Sequence, residues 1–91
     1  MPKFVVESEM PGVGGLSAAE LRAAAQHSAG ILNEMGSHVQ WVESFVTADK
    51  IYTIYAAPDE KTVLECACQT GLPANRVVEV KAIIDPTTAA G

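Results

Sequence analysis

The chain has 91 residues, of which 48% are hydrophobic and 19% charged, enough for one small folded domain and no second core. Six Lys and Arg stand against eleven Asp and Glu, a formal net charge of −5, and the six basic residues are scattered. Neither nucleic acid nor an anionic membrane is an expected partner, because both need a concentrated basic patch; the same balance suits cations.

No apolar run approaches the ~18 residues of a membrane-spanning helix. The opening "MPKFVVESEM" lacks the shape of a signal peptide. The expectation is a cytoplasmic, reducing location, where two cysteines remain thiols. A domain of this size buries its apolar surface inefficiently, so self-association is expected as well.

"KFVVESE" (3–9) is apolar and β-branched and reads as a strand. "MPGVGG" breaks it. Its glycines lie between a strand and a helix start, where anions bind, but the lysine and spacing of a phosphate loop are missing. It is read as a flexible turn. Ser17 and Glu20 then form an S-x-x-E capping box, with Leu16 and Leu21 at staple spacing. Leu21, Ala24, Ala25, Ser28, Ile31, Leu32 and Met35 recur at helical period, and Gly36 stops the helix.

"HVQWVESFVT" (38–47) and "KIYTIYAA" (50–57) are rich in Val, Ile, Thr and aromatics and read as a hairpin. "PDEKTVLECACQTG" is a second helix, opened by Pro58-Asp59 and closed by Gly71 before Pro73. "RVVEVKAIID" (76–85) alternates as a fourth strand, and "PTTAAG" is a mobile tail. The order βαββαβ is the ferredoxin-like plan, an α+β fold with a four-stranded antiparallel sheet and two helices on one face. Residues 1–85 form the single domain and 86–91 the tail. The sheet's other face carries apolar side chains, and a second copy packed on it, as a homodimeric α+β barrel, is the expected remedy.

Three sets of residues carry candidate chemistry. Cys66 and Cys68 are two apart, so on a regular helix they point about 200° from each other and cannot share an ion. They are read at the two borders of the apolar stripe Val63, Leu64, Ala67 and Gly71, as small packing residues or with one as a ligand. His27 reads as a solvated helix residue, and His38, at the strand start, as a surface group or a ligand. In the sheet, period two puts Glu7 and Glu9 on one face of their strand and Trp41, Glu43 and Phe45 on one face of theirs. Tyr52 and Tyr55 fall on opposite faces. A carboxylate between two aromatics needs solvent, a partner or a cation, which singles out Glu43.

The strings "FVVESEMPG", "LSAAEL", "QWVESFVTADKIYTIYAAPDE" and "GLPANRVVEVKAIIDPTTA" resemble, over nearly the whole chain, a family of small bacterial ferredoxin-like domains of unknown function with nickel-binding members. The resemblance implies a homodimer and, for some members, a bound divalent metal. The family's W-V-H-S is here Trp41-Val42-Glu43-Ser44, its I-Y-C-V-Y has Thr53 for the cysteine, and its E-H-A is Glu65-Cys66-Ala67. A site that loses imidazoles shifts away from nickel or loses affinity.

Two readings of function follow, with the binding protein weighed above the enzyme. The first is a small homodimer that binds nickel or another divalent transition metal, with Glu43 and Cys66 as first ligands and Glu7 or His38 in support. The second is an α+β-barrel enzyme acting on a small organic molecule, with Glu43 as acid/base, Trp41 and Tyr55 as pocket walls and Arg76 as a carboxylate anchor. A structural dimer without a ligand site is the plainest alternative, since fold alone does not choose.

Overall fold

The computed structural model describes residues 1–36 and 38–90. Strand β1 (Lys3–Glu9) leads through a single 3-10 turn to helix α1 (Ala18–Met35). The hairpin β2 (Gln40–Val46) and β3 (Lys50–Ala56) follows, then α2 (Glu60–Thr70), β4 (Arg76–Glu79) and a short α3 (Pro86–Ala90). The strands lie in the order β2-β3-β1-β4, every pair antiparallel. This is the expected ferredoxin-like α+β plan. Among the described residues no helix is long and apolar enough to cross a membrane.

Strand alternation sets the core. Phe4, Val6 and Ser8 of β1 and Thr53 and Tyr55 of β3 are buried, and their intervening neighbours on the other face are mostly half-buried. The buried set packs with Leu32 of α1 and with Val63 and Cys66 of α2. Both long helices therefore cover one face of the sheet and leave the other open.

The helix ends follow their caps. Ser17 Oγ accepts from the Glu20 amide at 3.1 Å, and the Glu20 carboxylate accepts from the Ser17 amide at 3.0 Å, the reciprocal box read in the sequence. Asp59 caps α2 by accepting from the Thr62 amide at 2.8 Å, and Gly71 ends it in a left-handed conformation (φ 81°).

Four local expectations change. The stripe of α2 is rotated by about one residue: Val63, Cys66, Ala67 and Thr70 are buried, while Leu64 and Gly71 face outward. Thr70 enters the core because its hydroxyl donates to the Ala67 carbonyl within the helix, which satisfies it without water. Strand β4 ends at Glu79, since β1 offers it a ladder only from Glu7 to Phe4, and Ile83 and Ile84 beyond it are 65% and 81% exposed. The expected tail is helical from Pro86 to Ala90, with the Asp85 carboxylate accepting from the amides of Thr87 and Thr88.

The "PGVGG" turn is pinned rather than free. Val13 is buried, the Met10 and Gly12 amides donate to Asp49, and the Gly14 amide donates to the Ala48 carbonyl. The backbones meet so closely that a Cβ on Gly14 would lie 2.8 Å from Ala48 Cα, so only glycine fits there.

Candidate functional site

The open face of the sheet is built from two adjacent rows. The registers align Glu43, Ile54, Val5 and Val78 across the four strands, and next to them Phe45, Tyr52, Glu7 and Arg76. Phe45 is 52% exposed, and Val42 and Val78 are also exposed. The Lys50 ammonium stands 3.5 Å from the Glu7 carboxylate. The face is thus an apolar centre with charges at its rim. Glu43 lines a groove of about 460 Å³ with Val42, Ile54 and Lys3, closed on its other side by Val80, Ala82, Ile83 and Ile84.

A β-bulge divides the predicted set. Trp41 pairs with Tyr55, but Glu43 pairs with Ile54, so Val42 is an extra residue in β2. An extra residue advances the strand's alternation by one step. Trp41 therefore lies on the helix side with Tyr55, while Glu43 and Phe45 lie on the open side. The expectation that Trp41, Glu43 and Phe45 share a face is corrected for Trp41. Tyr52 and Tyr55 do fall on opposite faces, and Glu7 and Glu9 do share one.

On the helix side the bulge brings Trp41 and Ser44 together. The Trp41 indole Nε1–H donates to Ser44 Oγ at 2.9 Å, and Ser44 donates to Thr53 Oγ1 at 3.0 Å. Beside them is a cavity of about 220 Å³, walled by α1 and by the β2–β3 hairpin. Deeper in the core, the Tyr55 hydroxyl lies against Cys66 and Thr70. Burial, and then the neighbouring Cys66, pushes the Tyr55 phenol well above its ordinary value. Burial likewise raises the Cys66 thiol, with the Tyr55 hydroxyl opposing it. A thiol so placed stays protonated at neutral pH, and to act as a nucleophile or a metal ligand it would first have to give up that proton.

The sheet thus separates the two leading metal candidates within one chain. Glu43 and Glu7 share the open face, on strands with β3 between them. Cys66 is buried on the opposite side. His38 is exposed in the approach to β2, and Cys68 is exposed on α2. The enzyme constellation is divided the same way: Glu43 and Arg76 belong to the open face, Trp41 and Tyr55 to the helix face. Among the described residues no three His, Cys, Asp or Glu side chains stand close enough to hold an ion. Sequence reading placed Ser44 and Thr53 only at the family's motif positions and missed that they pair with each other and with Trp41; the signal for that is two short hydroxyl side chains inside otherwise apolar strands.

The sequence model of one family, described as nickel responsive protein SCO4226-like, matches residues 4–80. The chain belongs to the SCO4226-like family. The crystal structure of SCO4226 from Streptomyces coelicolor A3(2) superposes with a TM-score of 0.73 at 18% identity, over 90% of this chain and 99% of that one. That likeness carries the fold. No curated protein matches the chain. The family's description concerns nickel, and among the described residues of one protomer no three His, Cys, Asp or Glu side chains come together as a ligand set for it.

Proposed function

We propose that the protein works in the cytoplasm as a homodimer joined through the open face of its sheet, and that it answers nickel or a similar divalent cation through a site that two copies complete around Glu43. The observation that carries this reading is the open face itself. It presents an apolar row, Ile54, Val5 and Val78, that ends in the Glu43 carboxylate. Exposed apolar area of that kind marks an interface, and a two-fold axis brings the same patch of each copy to the other. A carboxylate at the edge of such a patch needs a counter-charge once water leaves. A divalent cation between two copies supplies it where the described residues of one chain bring no three donors together. Glu7, on the same face, is the second oxygen ligand of the proposal. Oxygen donors without imidazole bind nickel less selectively than histidine sites do.

The acidic balance of the chain supports a cation rather than nucleic acid or an anionic membrane. The experiment is calorimetric titration of the untagged protein with nickel, cobalt and zinc, with its mass in solution followed in parallel. Glu43→Gln should weaken binding, and Cys66→Ser, on the far side of the sheet, should leave it unchanged. Absence of saturable binding by any of the three metals would refute the cation site, and a monomer at all concentrations would refute the dimer.

A further inference from the structure

The cavity on the helix side arises from three local choices of sequence. α1 carries Ala24, Ala25 and Ser28 where it crosses the hairpin, and these short side chains leave space that larger ones would fill. The bulge at Val42 turns both Trp41 and Ser44 inward, so a flat indole and a hydroxyl stand on the same wall. Leu72, just beyond α2, lines the space as well. Bulges re-aim side chains in this way at sheet edges beside functional sites.

We propose that this cavity is a binding site for a neutral, mostly apolar organic molecule of one or two rings with a single hydrogen-bonding group. Its size sets the first limit: about 220 Å³ is below the ~300–1,000 Å³ of pockets that take drug-sized ligands. Its chemistry sets the second. Among the described residues none that lines it is ionisable, so a charged ligand would lose its hydration with no counter-ion to replace it. The same absence makes it a place for binding rather than for acid–base chemistry.

The polar handle is specific. Ser44 Oγ accepts from Trp41 and donates to Thr53, which leaves one lone pair free to accept from a ligand O–H or N–H. The row across the sheet continues from Val46 and Ile51 to Ser8, which is fully buried behind Ile51 and does not line the cavity, so Ser44 carries the polar contact. The site is on the opposite side of the sheet from Glu43 and Phe45, so it is independent of the dimer and of the cation.

Trp41 is the chain's single tryptophan, and its indole N–H gives one resolved signal from the nitrogen-labelled full-length protein. The experiment titrates that protein with phenol and cyclohexanol as neutral probes, and with benzoate and cyclohexylammonium as charged ones of similar shape. The neutral probes should shift the indole signal saturably, and the charged ones should bind about tenfold more weakly or not at all. Ser28→Leu and Ala25→Leu each plug the cavity and should abolish the saturable shift while keeping the cooperative melt. Phe45→Ala should leave it intact. The proposal is overturned if neither neutral probe saturates, if the charged probes bind as well as the neutral ones, or if the shift survives in a folded plug variant.

Discussion

Phe45→Ala tests the dimer at its most exposed aromatic. Phe45 is 52% exposed in the protomer. A phenyl group presents ~200 Å², so ~100 Å² per copy is available to a facing sheet. At ~25 cal/mol per Å² that burial is worth ~2.5 kcal/mol per copy. Alanine keeps a small part of it, and the loss is then ~2 kcal/mol per protomer. Two-fold symmetry doubles the effect, to ~4 kcal/mol, or a rise of about 10³ in the dimer dissociation constant. Sedimentation equilibrium over a concentration series from micromolar upward measures this directly. Arg22→Ala, on the exposed face of α1, serves as the neutral control. A wild-type protein that stays monomeric, or a Phe45→Ala dimer as tight as the wild type, would refute the reasoning.

The protein should lose stability in alkali. The folded-state pKa values of Tyr55 and Cys66 both lie above the ordinary 10.0 and 9.0, so the unfolded chain releases these protons first. Their contribution is complete below about pH 9 and is lost as pH rises, by up to about 1.4 kcal/mol per pH unit for each group; urea melts from neutral to strongly alkaline pH measure it, and Tyr55→Phe should roughly halve the slope. Gly14→Ala should cost about 1–3 kcal/mol, because its Cβ would lie 2.8 Å from the backbone of Thr47 and Ala48, whereas Gly15→Ala meets nothing within 4 Å and should be near neutral in the same melts.

Most of the architecture is legible in the residues themselves. Ser17 and Glu20 announce the start of α1, Asp59 and Gly71 bracket α2, and β-branched runs mark the strands. These signals are local, and the structure uses them as written. What escapes is set by neighbours. The end of β4 depends on how far β1 accompanies it, which "RVVEVKAIID" does not encode. The rotation of α2 depends on Thr70 satisfying its own hydroxyl. The Val42 bulge has the largest effect on the site, because bulges require no particular residue type at such a position. "WVESFV" reads as plain alternation, and one unseen extra residue moves Trp41 to the face opposite Glu43. The site candidates were therefore found individually, while their grouping followed a parity that only the strand pairing supplies.

The same extra residue bears on how this chain avoids its own kind in the wrong geometry. β2 is an edge strand with exposed Val42, Phe45 and Val46, no proline and one charge, Glu43. Straight, it would be an open template for strand-on-strand growth and for fibrils. The bulge interrupts its regular row of amides and carbonyls and increases its twist. An intruding strand can match only one side of the break. The bulge thus disfavours growth at the edge and, in the proposed dimer, leaves the open face for an association that closes after two copies instead of propagating.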